Sequence, residues 1–339
     1  MDPFPFGKLP HDEMARFFNL LLRTDERVFL GPGIGLDCAV IDFGDTYLVA
    51  KSDPITFTAD EIGTYVVQIN ANDIATTGAQ PRWFLATLLL PPGMDKHAIQ
   101  SIFNQLQSAC SALNTQLVGG HTEITKGLDR PIICGTMLGE VRKENLITPQ
   151  GASAGDVVLL SKGIPLEAAS ILARDFEHLL SGIDQETIRR AHNYLHDPGI
   201  SIVAEAMIAA NTGGVTAMHD PTEGGLAGAL WELAEAAQVG ILVEEAAIPV
   251  LDAAGEICSV LGIPPMEAIS SGALLLTVRS SMAEEIIGKI NAANILIAEI
   301  GVVTADKSVV LQTGDGLQEI KRPARDALAV FFEHDSAGA

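Results

Sequence analysis

The sequence contains few aromatic residues, few cysteines and no long apolar run. Aromatic side chains make up 5% of its 339 residues, so Ala, Ile, Leu and Val must supply most of the packing in any core. No apolar stretch reaches the roughly 18 residues of a membrane-spanning helix. The first ten residues lack a basic region followed by an apolar stretch, which is the pattern of a signal peptide. These absences lead us to expect a cytoplasmic protein.

The scarcity of cysteine argues against a zinc site. The four cysteines are Cys38, Cys110, Cys134 and Cys258. They are widely spaced, form no CxxC pair and have no His nearby at zinc-ligand spacing. Because three of them stand in apolar runs, we expect them to be reduced and to pack as small apolar side chains.

Basic residues are also scarce. Lys and Arg number 21 against 43 Asp and Glu, which gives a formal charge of −22 and an isoelectric point near 4.6. Such a chain repels the phosphates of nucleic acids and of anionic membranes, so neither is an expected partner. It can still bind a polyphosphate where cations and backbone amides neutralise the charge locally. An ATP site in this protein would therefore depend on metal ions more than on Lys or Arg.

What the sequence does contain is typical of α/β proteins. It is 47% hydrophobic and 19% charged, with a mean hydropathy of +0.28 and 32 glycines. Its length suggests two domains, at roughly 150 residues each. A polar stretch with Pro and Gly, Thr148–Gly155, marks the expected boundary. We predict a strand-rich mixed α/β domain over residues 1–150 and a second α/β domain over residues 151–339.

Local patterns predict the main elements of the first domain. Cys38–Phe43 and Thr46–Ser52 are strand candidates joined by a turn, which indicates a hairpin. A helix follows, preceded by Thr58 and Glu61 at capping-box spacing. A second helix is predicted over Met94–Leu113, where apolar residues recur with the helical period. The second domain shows strands and helices in alternation.

Five polar segments stand out along the chain. They are Gly31–Asp37, Lys51–Thr56, Gln68–Ala79, Gly119–Glu123 and His219–Leu226. The first, second and fifth also have an ordinary structural explanation as a turn or a helix cap. The first is neither a dinucleotide-binding fingerprint nor a P-loop, because it precedes a strand and no Gly-Lys-Ser/Thr follows. Taken alone, this segment favours an ordinary turn over an anion-binding loop.

The third segment places polar residues within a predicted helix. Gln68, Asn72 and Thr76 follow the i, i+4 spacing and share one face, with Asp73 beside them. Asn and Asp are poor helix formers, because their side chains compete for backbone groups. Their presence on this face favours a functional role over an ordinary surface.

The fourth segment, Gly119–Glu123, is predicted to be a flexible turn after the strand Gln116–Val118. Its concentration of donors and acceptors favours a function. His121 is a proton-transfer group, a metal ligand or a simply hydrogen-bonded side chain.

The fifth segment opens a predicted helix. Free amides near Gly224 and Gly225 could hold a phosphate at the helix N-terminus. A helix cap explains the same residues, and the two interpretations are compatible.

Four acidic residues follow strands or lie on the polar helix face, namely Asp37, Asp53, Asp73 and Glu123. If they converge, like charges about 4 Å apart repel by about 4 kcal/mol at an effective dielectric near 20. Such a cluster needs cations, and carboxylates that also approach a substrate's phosphates are usual ligands of Mg²⁺. We therefore predict that these acids hold magnesium.

In their order and spacing, the polar segments resemble a known superfamily. The motifs are Gly-x-Asp-x-Ala-Val-Ile (35–41), Lys-Ser-Asp-Pro-Ile-Thr (51–56), Asn-Asp-Ile-Ala-x-x-Gly-Ala (72–79), Gly-Gly-His-Thr-Glu (119–123) and Asp-Pro-Thr-Glu-Gly-Gly-Leu (220–226). The superfamily contains aminoimidazole-ribonucleotide synthetase, selenophosphate synthetase, thiamine-monophosphate kinase and the hydrogenase-maturation dehydratase. The chain is most similar to the hydrogenase-maturation branch.

This resemblance implies an N-terminal domain that dimerises through its sheet, a C-terminal α/β domain, and ATP with Mg²⁺ in a cleft near the dimer interface. By position, the implied metal ligands are Asp37, Asp53, Asp73 and Glu123. The implied nucleotide contacts are Lys51, Asn72, Gly119, Gly120, Thr122, Asp220, Gly224 and Gly225. The implied catalytic residues are His121, for proton transfer, and Glu123.

Three positions depart from the hydrogenase-maturation branch. The chain ends in His334–Ala339, without the C-terminal cysteine on which that branch activates a carboxamide. Glu223 stands where the branch has Arg, and Ser271 stands where it tends to have an acidic residue. We therefore expect a related protein with a different substrate.

Three functional hypotheses follow. The first is an ATP- and Mg²⁺-dependent homodimeric enzyme that phosphorylates an oxygen of an amide, a carboxamide or a similar small acceptor. The second is a nucleotide-binding regulatory or assembly protein without turnover of its own. The third is an enzyme that acts on a group carried by another protein's cysteine. Retention of all four acids favours an enzyme.

Overall fold

The structure is a computed structural model that describes residue 4 and residues 7–22, 24–33 and 35–336. Ile34 of the first polar segment and the two ends of the chain lie outside the described residues. The chain divides into two compact units. The N-terminal unit comprises Asp25–Gly31 and Asp37–Leu146, and the C-terminal unit comprises Met1–Thr24, Pro32–Leu36 and Ile147–Ala339. No helix in the described ranges is both long and apolar enough to cross a membrane.

The N-terminal unit is built on a seven-stranded sheet. The chain first forms helix α1 (His11–Phe18), which counts with the C-terminal unit. The strands of the N-terminal unit are β1 (Val28–Leu30), β2 (Ala39–Asp42), β3 (Thr46–Lys51), β4 (Pro54–Ile55), β5 (Gln80–Leu90), β6 (Gln116–Ile124) and β7 (Ile132–Arg142). Six of them follow the order β1-β2-β3-β7-β5-β6, and β4 pairs with β7. All pairs are antiparallel except β5 with β6.

Two helices of the N-terminal unit pack on this sheet. Helix α2 (Ile62–Thr76) is buried along nearly its whole length, and its buried residues include the polar Asn70, Asn72 and Asp73. Helix α3 (Lys96–Ala112) connects the parallel strands β5 and β6 and buries one apolar stripe. The Asp95 side chain caps α3 by accepting hydrogen bonds from the amides of His97 and Ala98.

The strands of this sheet alternate between buried and half-exposed residues. Successive side chains of a strand point to opposite faces, and one face is covered by α2. The residues of the other face, which we call the half-exposed face, keep part of their surface accessible. On β5 and β7 they are Leu85, Thr87, Leu89, Ile132, Cys134, Thr136 and Leu138.

The structure corrects two local predictions in this unit. Gly119–Glu123 is not a turn but belongs to β6, because these residues continue the ladder with β5. Thr58 does not cap α2. Glu61 precedes the helix in the left-handed conformation, at φ 51°, and accepts a hydrogen bond from the Thr64 hydroxyl. The helix therefore begins after Glu61, one turn later than the spacing suggested.

The C-terminal unit contains a second seven-stranded sheet. Its strands are β8 (Val157–Ser161), β9 (Val215–His219), β10 (Gly240–Glu244), β11 (Leu275–Val278), β12 (Ile297–Thr304), β13 (Val309–Thr313) and β14 (Gly316–Glu319). They follow the order β14-β13-β10-β12-β8-β11-β9, and only β10 and β13 are parallel among these pairs. Its further helices are α4 (Leu166–Asp175), α5 (Gln185–His192), α6 (Val203–Thr212), α7 (Gly225–Ala237), α8 (Asp252–Leu261), α9 (Ala283–Ala292) and α10 (Ala327–Ser336).

Helix α7 is fixed on the sheet by its apolar face. Leu226, Leu230 and Leu233 recur at helical spacing and belong to one buried cluster with Leu160 of β8 and Ile241 of β10. The N-terminus of α7 is thereby held close behind the end of β9. Two sheets with packed helices confirm the predicted mixed α/β fold.

Candidate functional site

The end of β3 carries a buried cluster of charges. Lys51, the last residue of β3, pairs with the buried Met137 of β7 and therefore faces the side covered by α2. Its Nζ lies 3.0 Å from Asp53 Oδ2 and 3.3 Å from Asp73 Oδ2. Because Asp73 comes from α2, a strand end and a helix together hold the charges in place.

Lys51 keeps its charge in this cluster. Burial by itself would lower the pKa of its ammonium, but the carboxylates of Asp73, Asp37 and Asp53 raise that pKa well above its ordinary value. The Lys51 side chain is 13% exposed and that of Asp73 is 2% exposed. Four residues predicted for the site, one cation and three acids, thus come together within the N-terminal unit.

Asn70 of α2 holds the backbone of Asp53. Its Oδ1 accepts from Asp53 N at 2.9 Å, and its Nδ2 donates to Asp53 O at 3.2 Å. Gly135 of β7 donates to the same carbonyl at 2.9 Å. A Cβ at Gly135 would lie 2.5 Å from Asn70 Nδ2, so this approach requires glycine. Sequence reasoning missed the role of Asn70, although an Asn in the interior of a predicted helix was a usable signal.

The predicted polar face of α2 is removed from solvent. Asn72 is 0%, Asp73 1% and Thr76 5% exposed. The Thr76 hydroxyl donates to the Asp73 carbonyl at 2.7 Å, and Cys38 Sγ donates to the same oxygen at 3.3 Å. Gln68 is half-buried. Asp73 is the member of this face that reaches Lys51.

His121, Thr122 and Glu123 lie on β6, at the edge of the sheet. The side chains of His121 and Glu123 are 63% and 51% exposed, and His121 Nε2 lies 3.1 Å from Glu123 Oε2. Hydrogen bonds from Thr125 and from His121 hold the pKa of Glu123 below its ordinary value. The carboxylate thus orients the imidazole.

Glu123 does not join the charge cluster within one chain. It pairs with Leu89 of β5, as His121 pairs with Thr87, which places both on the half-exposed face. Lys51 faces the opposite side. In addition, β6 is three strands away from β3, roughly 14 Å at a strand spacing of about 4.8 Å. The predicted convergence of four acids is therefore reduced to three in a single chain.

Packing requires glycine at one of the two glycine positions of β6 but not at the other. Gly120, at φ 144°, lies so close to β5 that a Cβ would stand 1.9 Å from the carbonyl oxygen of Ala86. Strand pairing therefore requires glycine at this position. At Gly119 a Cβ would meet only Leu85, at 4.0 Å. A nucleotide contact at Gly119 stays a prediction that packing neither requires nor opposes.

In the C-terminal unit, Asp220 is a buried carboxylate directly after β9. It is 0% exposed, and neither of its oxygens has a hydrogen-bond partner in the described part of the chain. The adjacent His219 has its Nε2 2.7 Å from Glu232 Oε2 and its Nδ1 3.9 Å from Asp220 Oδ1. A buried carboxylate without donors is costly, so Asp220 suits a position that a cation or a ligand donor completes.

The glycine turn before α7 differs from its prediction. The Gly224 amide donates to Asp326 Oδ2 at 2.7 Å. The Gly225 amide donates to the Thr222 carbonyl at 2.9 Å. A Cβ at Gly225, whose φ is 59°, would lie 2.5 Å from the Ala268 carbonyl oxygen, so the chain's own packing requires this glycine. The expectation of free amides at these two positions was wrong, because the chain itself supplies their acceptors.

Three carboxyl groups surround this turn. Burial raises the pKa of Glu167 to about 8 and that of Asp326 to about 6, and the nearby Glu223 contributes to both shifts. Glu223 is half-exposed and lies 3.6 Å from the Lys8 ammonium. Glu167 lies beside Ser271, so it brings a carboxyl group to the position where Ser271 lacks one. No sequence signal pointed to Glu167 or Asp326.

These residues fit a magnesium ion and a nucleotide. Asp37, Asp53 and Asp73 offer the hard oxygen ligands that Mg²⁺ prefers, and they already gather around a cation. Within the C-terminal unit, Asp220 separately offers two buried oxygens that lack donors among the residues placed by the structure. The donor set contains no soft ligand next to these acids except the Cys38 thiol, which is engaged with a backbone carbonyl.

Comparisons with known proteins agree with the fold. The chain matches the AIR synthase related protein N-terminal domain over residues 35–141 and the AIR synthase related protein C-terminal domain over residues 153–314. A hydrogenase expression/formation protein of Methanocaldococcus jannaschii is 29% identical over 326 residues, which cover 91% of this chain and 93% of that protein. The carbamoyl dehydratase HypE of Cupriavidus necator is 30% identical over 280 residues, covering 81% of this chain and 75% of that protein.

Solved structures show the same architecture. A chain of a HypE–HypF complex has a TM-score of 0.73 at 22% identity, covering 86% of this chain and 94% of that one. The hydrogenase maturation protein HypE in complex with ATP has a TM-score of 0.71 at 22% identity, covering 93% of this chain and 91% of that one. The resemblance inferred from the five motifs is thereby confirmed. The chain belongs to the AIR synthase related protein family, as a HypE-like member.

Proposed function

We propose that this protein is an ATP- and Mg²⁺-dependent enzyme that phosphorylates the oxygen of a carboxamide or a similar amide-like acceptor. The observation that carries this proposal is the cluster of Lys51, Asp53 and Asp73, in which Asn70 holds the backbone of Asp53. The similarity to HypE, for which a complex with ATP is known, supports the choice of nucleotide.

The reaction requires positioning and charge stabilisation more than covalent chemistry by the protein. Asp37, Asp53 and Asp73 would hold Mg²⁺, which when bound neutralises charge on the phosphates. The acceptor oxygen attacks the γ-phosphorus, a new P–O bond forms, and the bond to the β–γ bridging oxygen breaks. ADP leaves, and the acceptor nitrogen loses a proton. We propose that His121, which Glu123 orients, accepts that proton.

Titration calorimetry with ATP, with and without Mg²⁺, tests the nucleotide site. Asp53→Asn removes one carboxylate and keeps the backbone that Asn70 holds. Asp129→Asn makes the same charge change at an exposed loop position of the same unit and serves as the control. We expect Mg²⁺-dependent ATP binding in the wild type and in Asp129→Asn, and at least about a tenfold loss in Asp53→Asn, because a metal ligand is missing.

Turnover decides between an enzyme and a nucleotide-binding regulatory protein. Release of ADP in the presence of small carboxamides supports the enzyme. Binding of ATP without release of ADP, whichever acceptor is added, supports the regulatory alternative. Absence of ATP binding in both conditions contradicts both, because each depends on the same site.

We also propose that the protein is a homodimer joined through the N-terminal sheet. The half-exposed face carries the apolar residues Leu85, Leu89 and Ile132, and the edge strand β6 leaves nearly all of its residues exposed. Apolar surface next to an open strand edge favours association with another sheet. Because His121 and Glu123 lie on this face, they would lie at the interface between the two subunits.

Light scattering coupled to size-exclusion chromatography tests the dimer. The wild type is expected at twice 35.8 kDa. Leu89→Glu places a charge on the half-exposed face and is expected to give monomers. Leu296→Glu, at a residue 72% exposed in the C-terminal unit, is the matched control and should leave the mass unchanged. A wild-type monomer contradicts the proposal.

The acceptor is proposed to be carried by another molecule, small or peptide-borne. Cys38, Cys110 and Cys258 are buried and Cys134 is half-buried, so none of the four residues is fully exposed as a carrier of a carboxamide would be. HypE is known in a complex with HypF, which supports a protein as the source of the acceptor. ATP-dependent ADP release that appears only in a mixture with such a carrier would support this form of the proposal.

A further inference from the structure

Lys51 occupies the position among the carboxylates that a cation would take. Its Nζ contacts Asp53 Oδ2 and Asp73 Oδ2, at 3.0 and 3.3 Å. Asp37 is also close enough to act on its charge. Since Lys51 ends a strand and Asp73 lies in the last turn of a buried helix, the ammonium is built into the fold.

The charges of this group can be counted. Three carboxylates contribute −3 and the ammonium contributes +1, so the group carries −2. One divalent cation neutralises that charge. Without the ammonium the group would carry −3, and a single divalent ion would leave it negative. Ammonium and metal ion also compete for the same carboxylate oxygens.

We propose that Lys51 is the resident cation of this site, which takes the place of a second divalent ion on Asp53 and Asp73 and supplies a positive charge for the phosphates of the nucleotide. The inference rests on the proposed function, because it describes how the same carboxylates accept a nucleotide. It predicts that the group binds one divalent ion in the absence of nucleotide. It also predicts that losing Lys51 strengthens metal binding and weakens nucleotide binding.

Manganese binding, followed by electron paramagnetic resonance, tests the effect of Lys51 on metal binding in the absence of nucleotide. The ions bound at this site are those lost in Asp53→Asn. We expect one such ion in the wild type. Lys51→Met should bind Mn²⁺ at least about tenfold more tightly or bind a second ion, because a unit positive charge about 4 Å away no longer opposes it. Lys126→Met, at an exposed lysine of the same unit, should match the wild type.

The double variant Lys51→Met/Asp73→Asn guards against a folding artefact. It restores the net charge of −2, so its Mn²⁺ affinity should return towards the wild-type value. Calorimetry with ATP and Mg²⁺ then tests the contribution of Lys51 to nucleotide binding. Lys51→Met should bind ATP about tenfold more weakly, which is the effect expected for the loss of one charged contact to phosphate. Opposite changes in the two affinities are not expected of a lysine that only supports the fold.

The two proposals fail in different ways. Unchanged or weakened Mn²⁺ binding in Lys51→Met, or two ions at this site in the wild type, overturns the role of Lys51. A wild type that binds Mn²⁺ as expected but does not bind ATP contradicts the proposed function instead, and it overturns the phosphate half of this inference as well.

Discussion

The side-chain amide of Asn70 hydrogen-bonds both the N–H and the C=O of Asp53, at 2.9 and 3.2 Å. The same amide donates to the Val66 carbonyl at 2.8 Å within α2. A buried helix thereby fixes the backbone of the residue whose carboxylate meets Lys51. We call these hydrogen bonds between Asn70 and the Asp53 backbone the clamp. The clamp explains why the polar Asn70 is retained at a position that is 0% exposed.

Asn70→Ala is the direct test of this clamp. The Asp53 amide would lose its acceptor at a half-buried site, so we expect the free energy of unfolding to fall by about 1–3 kcal/mol. We also expect weaker Mg²⁺-dependent ATP binding, because Asp53 is no longer positioned. Urea unfolding and calorimetry measure the two effects.

Asn104→Ala, on the exposed surface of α3, is the control and should change neither quantity. If Asn70→Ala lowered the stability while leaving ATP binding intact, the clamp would be structural only.

The sequence predicted the elements better than it predicted their contacts. The helix expected over Met94–Leu113 is observed over Lys96–Ala112, because apolar periodicity reports which side of an element is buried. Gly119–Glu123 was mistaken for a turn, because two adjacent glycines favour one locally. What makes these residues a strand is their pairing with β5, which is a tertiary effect.

The contacts around the site depend on distant parts of the chain. Asp73 could be recognised from its helix, but the ion pair with Lys51 joins residues that only the fold brings together. Asp326 accepts from Gly224 across 102 positions, and no local pattern announces this pairing. The burial of Glu167 beside Ser271 likewise depends on packing, so the sequence alone did not identify this residue.

Glu167 should make the stability fall as the pH rises. Burial raises its pKa from 4.5 to about 8 in the folded chain, so the folded chain keeps a proton that the unfolded chain has lost. Its contribution is complete below pH 4.5 and is lost as the pH rises to about 8. Glu167→Gln is always neutral, so at pH 9 it should exceed the wild type by on the order of 3–5 kcal/mol in unfolding free energy.

At pH 5 the wild type and Glu167→Gln should have nearly equal stability. Glu177→Gln, at an exposed position of the same unit, should follow the wild type at both pH values. Urea unfolding at pH 5 and pH 9 gives the comparison, and parallel pH profiles of the wild type and Glu167→Gln would contradict the assignment.

The buried ion pair of Lys162 and Glu205 should be costly to break from one side. Nζ and Oε1 are 3.0 Å apart, and the two side chains are 4% and 1% exposed. Lys162→Met leaves the Glu205 carboxylate buried without its cation, so we expect a loss of about 3–5 kcal/mol in unfolding free energy. The double variant Lys162→Met/Glu205→Leu removes both charges and should recover a large part of that loss. Denaturant unfolding measures both, and a double variant less stable than the single one would contradict this account.

Asp220 should lower the stability of the ligand-free chain and support the binding of Mg²⁺ and ATP. Its two buried oxygens lack hydrogen-bond donors in the described ranges, so the carboxylate is a cost to the metal-free chain. Asp220→Asn removes the charge and should raise the unfolding free energy by about 1–3 kcal/mol in the presence of a chelator. In the wild type, added Mg²⁺ and ATP should raise the melting temperature, because a ligand that binds only the folded chain stabilises it. That rise should be lost in Asp220→Asn and kept in Asp315→Asn, an exposed hairpin position.

The stability of Asp220→Asn in chelator decides what the carboxylate is for. A less stable variant would mean that the carboxylate supports the fold, whereas the expected gain in stability would mean that the residue is retained for ligand binding.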